Sequence, residues 1–304
     1  MYINTPLLES LSVSSRCGRR VWLKMEALQP SGSFKTRGLG HACQEYKRRG
    51  ATRFVASSGG NAGLAVAYAG RCLGVPVTCV VPESTTQRAK DLIQQEGAQV
   101  IVRGESWQEA HQYALSLVDD TSAYLHPFDD PLIWEGNSSL VTEVIEAGVM
   151  PGAVVLSVGG GGLLCGVVEG LQRSKLSHVP VFAAETFGAD SLYKAVKAGE
   201  LIELPAITSV ATTLGAKRVA AHALELSRKH PIFPHRVSDG EAVDACIRFA
   251  EDHRVITEPS CGASLALVYN TLEALADYDD ILVVVCGGAG ITYPKLVELR
   301  DKLQ

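Results

Sequence analysis

Lys35 stands in "PSGSFKTRG" (30–38), after a run of small residues and beside the ring of Phe34. Ser-Gly turns that lead into helices hold phosphates through open N–H groups and the positive helix end. This stretch does not spell the P-loop pattern G-x-x-x-x-G-K-[ST]. A lysine against an aromatic ring and near a helix start has its ammonium form disfavoured. Its neutral amine can then attack an aldehyde or remove a proton. An isolated lysine is ordinarily a solvated surface charge, and the setting is what sets Lys35 apart.

Three glycine-rich turns could share a ligand with it: "SSGGNAG" (57–63), "GGGG" (159–162) and "CGGAG" (286–290). Any one of them alone reads equally well as a tight strand-to-helix connection. Four successive glycines, Gly159 to Gly162, let the backbone come close to an anion at the head of the next helix. The dinucleotide pattern G-x-G-x-x-G fails there, since Leu164 and Cys165 occupy the third glycine's place, although Glu185 ends the next strand as in a Rossmann unit. One phosphate turn and a separate lysine suit pyridoxal phosphate (PLP), whose aldehyde needs an amine. A nicotinamide-dependent oxidoreductase is the rival.

To position these residues the chain alternates strand-like and helix-like segments. Strands are expected at 53–58, 75–82, 99–104, 152–158, 179–186 and 280–288, with helices at 61–74, 85–98, 106–120 and 163–174. Unbroken Val/Ile runs between helices indicate parallel sheet buried on both faces, an α/β fold. Helices between about 216 and 275 interleave less clearly. A break near "HPFDDPLIWEG" (126–136) predicts a small α/β unit at 38–129, with 1–37 and 130–304 forming a large unit and a ligand cleft between them.

The 304 residues are 46 % hydrophobic and 20 % charged, with a net charge of −5 and no long Lys/Arg run, which argues against nucleic acid or an anionic membrane as partner. Eight scattered cysteines without a C-x-x-C pair read as reduced thiols of a cytoplasmic protein. No signal-peptide pattern or membrane-length apolar run is expected. No His/Cys cluster has metal-ligand spacing, and His41 and His126 read as packing or surface residues.

The motifs "NTPLLES", "PSGSFKTRG", "SSGGNAG", "DDPLIWEG", "SVGGGGLLCGVVEGLQ", "ETFGADS" and "LVVVCGG", in this order along nearly the whole chain, resemble the fold-type II PLP enzymes. Among these they are similar to the serine dehydratase and serine dehydratase-like branch. The resemblance implies two open twisted α/β domains of the tryptophan synthase β-subunit-like kind, with the cofactor in the cleft. It implies Lys35 as the cofactor's Schiff-base lysine, Phe34 on one face of the ring, Gly159, Gly160, Gly161 and Gly162 on the phosphate, and Asn61 on the ring hydroxyl. Ser58, Gly59 and Asn61 would line the substrate-carboxylate site, and Cys286 would lie near the pyridine nitrogen. A monovalent cation such as K+ would sit near carbonyls of Gly159, Ala189, Leu214 and Ala216, with Glu185 and Ser191 close by.

The implied reaction is loss of water from L-serine or L-threonine, ending in pyruvate or 2-oxobutyrate and ammonia, in a homodimer without a feedback domain. Gly59 and Thr213 depart from the pattern of some members: Gly59 could enlarge the pocket, and the Thr213 hydroxyl could form a new bond or narrow the site. Other β-hydroxy amino acids (hydroxyaspartate, phenylserine), β-replacement, threonine synthesis and serine racemisation stay open as alternatives, as does a cofactor-binding protein without turnover.

Overall fold

The structure, a computed structural model, describes residues 1–303; Gln304, which the sequence places at the end of a closing helix, lies outside them. The chain opens with β1 (Leu7–Glu9), α1 (Leu11–Cys17) and β2 (Arg20–Lys24), then enters α2 (Lys35–Arg48). Strict alternation follows: β3 (Arg53–Ala56), α3 (Asn61–Leu73), β4 (Val77–Val81), α4 (Gln87–Gln95), β5 (Gln99–Val102), α5 (Trp107–Ser116) and β6 (Ser122–Leu125). These strands form a parallel sheet in the order β5-β4-β3-β6.

After α6 (Pro131–Glu146) come β7 (Ala153–Ser157), α7 (Gly162–Arg173), β8 (Val181–Thr186), α8 (Ser191–Ala198) and α9 (Ala221–Ser227). The chain closes with β9 (Ile232–Val237), α10 (Asp239–His253), α11 (Pro259–Tyr269), β10 (Asp280–Val284) and α12 (Tyr293–Leu303). The larger sheet runs β1-β2-β10-β7-β8-β9, parallel except where β1 meets β2.

Helices cover both faces of the central strands, so β4, β7 and β8 are buried along their whole length. That is why their sequences are continuous apolar runs rather than alternating ones. Four strands escape the sequence pattern: β1, β2, β6 and β9. The expected strand 280–288 stops at Val284, and the expected helix 106–120 at Ser116.

Strand order places the site. In the smaller sheet the chain moves outward through β3, β4 and β5, then returns β6 to the other side of β3. In the larger sheet β7, β8 and β9 run outward and β10 returns beside β7. Ligands sit beyond the carboxyl ends of strands at such reversals. Those ends carry the turns 57–60, 158–161 and 285–290.

Helix starts in the fold differ in how they are capped, and α8 and α9 also lack a side-chain cap. Ser10, Thr86, Ser106, Asp130 and Ser238 each cap a helix start with a side-chain oxygen, Ser238 within a full capping box with Glu241. The starts of α2, α3, α7 and α11, preceded by Phe34, Gly60, Gly161 and Glu258, have no side-chain cap. At α2 the N–H groups of Thr36, Arg37 and Gly38 go to Ser33 O, Phe34 O and Asn137 Oδ1, whereas the glycine-led starts of α3 and α7 suit another acceptor.

Candidate active site

Lys35 is held where the large sheet ends. Ser33 pairs with Gly287 in an isolated bridge, and the Phe34 N–H donates to the Cys286 carbonyl at 3.1 Å. The Lys35 Nζ donates to the Pro127 carbonyl at 2.5 Å and lies 5.2 Å from the Phe34 ring centre. Crowding by protein around the ammonium pushes its pKa down to about 8, against the pull of Cys286 and Glu258. A neutral amine is therefore far more accessible here than on a solvated lysine.

The Gly159–Gly162 turn is built so that side chains do not fit. A Cβ at Gly160 would lie 2.2 Å from the Phe128 ring, and one at Gly162 would lie 2.7 Å from the Phe128 carbonyl oxygen. Gly161 has φ +93°, a left-handed conformation that suits glycine. The turn opens α7, whose N-terminus has no side-chain cap. A close, uncapped glycine turn at a helix start is an anion cradle.

On the facing sheet, the Ser58 hydroxyl accepts from the Gly60 N–H at 3.2 Å. Asn61 begins α3, and its amide is engaged on both sides. Its Nδ2 donates to Glu258 Oε1 at 2.6 Å, and its Oδ1 accepts from the Ala289 N–H at 3.2 Å. A Cβ at Gly60 would stand 3.6 Å from the Thr213 methyl. Residues from β3's end, the 212–214 turn and the "CGGAG" turn thus meet.

The two departures are now explained. Thr213 turns its hydroxyl onto Glu258 Oε1 and the Ser260 hydroxyl, so it forms a new bond rather than a constriction. A Cβ at Gly59 would lie 2.5 Å from Thr85 Oγ1 and 2.6 Å from its methyl. Thr85 occupies the room that the missing side chain leaves.

Cys286 is buried beside Cys261, and this contact together with burial raises its thiol pKa well above the usual value. Glu185 is fully buried; its carboxylate accepts the Leu192 and Tyr193 N–H groups at 2.9 and 2.7 Å. Burial pushes its pKa up to about 8, with Asp190 adding to the rise. Its oxygens lie at the start of α8, which Ser191 opens. A Cβ at Gly159 would be 3.2 Å from the Leu214 carbonyl oxygen, and Ala189 bridges Thr186.

The two histidines have local duties. His126 Nδ1 accepts from the Asp129 N–H at 2.8 Å, and burial lowers its pKa to about 4. His41 Nε2 faces Glu135 at 3.4 Å. Among the described residues no group of three or more His, Cys, Asp or Glu could hold a metal ion. Glu258, Thr85 and the Pro127 carbonyl escaped sequence reasoning. A carboxylate directly before Pro259, at the head of the apolar helix "PSCGASLALVY", was the available signal for Glu258.

Residues 1–287 match the family described as pyridoxal-phosphate dependent enzymes. The chain belongs to that family. A human protein named L-serine dehydratase/L-threonine deaminase is 47 % identical over 314 residues, covering 100 % of this chain and 96 % of its own length. A rat protein named serine dehydratase-like is 48 % identical over 309 residues, covering 98 % of this chain and 94 % of its own. The crystal structure of a fungal L-serine ammonia-lyase from Rhizomucor miehei superposes with a TM-score of 0.95 at 40 % identity, covering 100 % of this chain and 99 % of the other.

The residues present suit the cofactor of a pyridoxal-phosphate dependent enzyme. Lys35 offers the amine at a lowered pKa, and Gly159–Gly162 offer a turn at the uncapped start of α7 where a Cβ would crowd Leu214, Phe128 or Ala223. Among the described residues no helix of this family member is long and apolar enough to cross a membrane.

Proposed function

We propose that the protein deaminates L-serine and L-threonine, giving pyruvate or 2-oxobutyrate and ammonia. The observation that carries this reading is that Lys35, with its lowered pKa, is held by the Pro127 carbonyl beside the Phe128 on which the glycine turn packs, and feels the charge of Glu258, which Asn61 contacts. The names of the human and fungal relatives supply the substrate class.

When bound, PLP supplies an aldehyde for the substrate amine and a ring that draws electrons from the α-carbon. Lys35 would hold that aldehyde in the resting enzyme and, once displaced as a neutral amine, takes the α-proton. Gly159, Gly160, Gly161 and Gly162 would hold the phosphate at the uncapped start of α7, and Phe34 would cover the ring. Asn61 would donate to the ring hydroxyl. The N–H groups of Ser58, Gly59 and Asn61, at the uncapped start of α3, clamp the substrate carboxylate and aim the α C–H at Lys35.

Cys286, a thiol whose pKa is raised, would lie near the ring nitrogen and could not hold it protonated. Departure of the β-hydroxyl in step with α-proton removal is then the easier path. The hydroxyl would leave as water with a proton that the cofactor phosphate is the nearest acid to supply, and water returns when the unsaturated product hydrolyses to oxo acid and ammonia. Thr85 filling the space beside Gly59 favours small substrates over hydroxyaspartate or phenylserine.

Three finer readings belong to the same proposal. The small unit spans 38–129, in keeping with a four-stranded sheet whose strands all lie between 53 and 125. A monovalent cation such as K+ sits among the Gly159, Ala189, Leu214 and Ala216 carbonyls, Glu185 and Ser191; comparing turnover in potassium and lithium chloride decides it. The protein is a cytoplasmic homodimer, in keeping with eight free cysteines, six of them buried; light scattering tests the dimer, and cell fractionation the compartment.

The deciding experiment is an absorbance spectrum of PLP-loaded protein followed by oxo-acid and ammonia assays with both substrates. We expect a visible band from the lysine-bound cofactor, its loss in Lys35→Ala, and pyruvate from serine. A band without oxo-acid release would overturn the activity. No band at all would overturn the cofactor site.

A further inference from the structure

Glu258 is a buried carboxylate that the mechanism above does not use. It lies at the head of α11, on the larger sheet's side of the crevice, and its Oε1 receives two side chains at once: Asn61 Nδ2 from the facing sheet and the Thr213 hydroxyl. The backbone is shaped to admit it. A Cβ at Gly288 would lie 2.2 Å from the Glu258 Cδ, and Gly288 sits at φ +133°, where only glycine is at ease.

An Asn amide has two faces of nearly equal shape, an oxygen that accepts and an NH2 that donates. Ala289 N–H, on the "CGGAG" turn, can only donate, so it claims Oδ1. Burial raises the Glu258 pKa to about 7, while the Thr213 and Asn61 hydrogen bonds and the Lys35 charge favour its ionised form. Ionised, it can only accept, so it claims one Nδ2 hydrogen. Between them one orientation of Asn61 remains. The second Nδ2 hydrogen is the donor left for a cofactor oxygen.

We propose that Glu258 is a positioning residue of this site, fixing the Asn61 amide across the crevice so that its remaining N–H faces the cofactor. This rests on the cofactor site proposed above. Glu258 also acts on Lys35 through charge. Elements packed around it contribute Lys35 from α2, Cys246 from α10 (whose thiol donates to the Glu258 carbonyl at 3.1 Å), and Cys286 from the turn after β10. Thr213 and Ser260 add hydroxyls. The Cys286 thiol pKa is raised by its contact with Cys261 and by burial, and the Cys246 thiol pKa by burial, so among the described residues Lys35 is the charged neighbour of Glu258 at neutral pH, and the carboxylate favours the ammonium form.

The test titrates apo-protein with PLP, following the visible band at several pH values, in wild type, Glu258→Gln, Glu258→Ala, Asn61→Ala and the Glu258→Ala/Asn61→Ala double variant. Gln keeps an oxygen acceptor in place and removes the charge. We expect Glu258→Gln to bind within about threefold of wild type, and Glu258→Ala to bind at least about tenfold more weakly, the scale of a lost hydrogen bond to a charged group. The double variant should be no weaker than Asn61→Ala, because the two residues act as one unit. In both Glu258 variants the pH dependence of uptake should move to lower pH, since Lys35 loses the carboxylate that holds its proton.

Equal losses in Gln and Ala with an unmoved pH dependence would mark a structural residue and overturn the proposal. So would wild-type binding in Glu258→Ala. If Glu258→Ala does not fold, Glu258→Gln still decides: an unmoved pH dependence, or weakening beyond threefold, overturns the proposal. Failure of wild-type protein to take up PLP would instead sink the cofactor site itself.

Discussion

Lys35 and Arg37 stand two residues apart at the start of α2, and the protein treats them in opposite ways. Arg37 is fully buried and grips two carboxylates: Nε and Nη2 reach Glu26 at 2.7 Å each, and Nη1 and Nη2 reach Glu143 at 2.7 and 2.6 Å. Lys24 joins at 2.6 Å from Glu143, so two cations face two carboxylates. The guanidinium pKa is driven up by those carboxylates, despite burial. Lys35 has one carbonyl partner, and its pKa is driven down to about 8. The first cluster is complete and fixes a charge. The second is left incomplete, so its proton can move, and around it stand the uncapped helix starts.

Breaking the complete side should give the largest effect. Arg37→Ala leaves Glu143 with Lys24 and, among the described residues, Glu26 with no ion-pair partner, and removing one partner of a buried pair costs ~3–5 kcal/mol. Denaturant unfolding of apo-protein should show that loss. Lys35→Ala, which removes an amine with one hydrogen bond, should fall within about 1 kcal/mol of wild type. Equal losses would erase the distinction between the two clusters.

The glycine cradle offers a middle-sized test on the incomplete side. A methyl at Gly160 must push the Phe128 ring, which follows the Pro127 carbonyl that holds Lys35. Gly160→Ala should lower stability by ~1–3 kcal/mol, the usual range for overpacking. It should also weaken PLP uptake by apo-protein more than any change in the Arg37 cluster that still folds. Unchanged cofactor titration would mean the turn does not hold the phosphate.

The two sides were not equally legible in the sequence. Strands buried on both faces, such as "AVVLS" and "DILVV", announce themselves as apolar runs. β9 does not. It is an edge strand, "IFPHRV", with Pro234 inside it and polar residues half-exposed, so the stretch after 216 reads as helix alone. β6 is four residues, "SAYL", too short for a pattern.

In the site, Lys35 and the glycine turns were visible because their oddity is local: a lysine among Ser and Gly, four glycines in a row. Glu258 was not, because its meaning lies in Asn61, 197 residues away. Arg37 looks like a surface cation until Glu26 and Glu143 are folded around it. What sequence lacks is the partner, and both clusters are made of partners distant in the chain.

The smallest effect should sharpen where the incomplete side stops. Gly59 lies on the turn after β3 that is proposed to hold the substrate carboxylate, and its neighbour Thr85 comes from the loop before α4. Gly59→Ala forces the Thr85 side chain to swing, because its Oγ1 and methyl would stand 2.5 and 2.6 Å from the new carbon. Both atoms end a side chain that can rotate, so the cost should sit near ~1 kcal/mol, the low end for overpacking. In a Thr85→Ala background only the Cβ of residue 85, 3.1 Å away, remains in the way, so the same methyl should cost much less, a coupling that a double-mutant cycle in denaturant can resolve. The serine KM should follow the same pattern, rising in Gly59→Ala and returning in the double variant. If instead Gly59→Ala is neutral in both backgrounds, the turn has room that the packing denies. The crevice would then be open on its substrate side as well as at Lys35, and a bulkier β-hydroxy amino acid would fit.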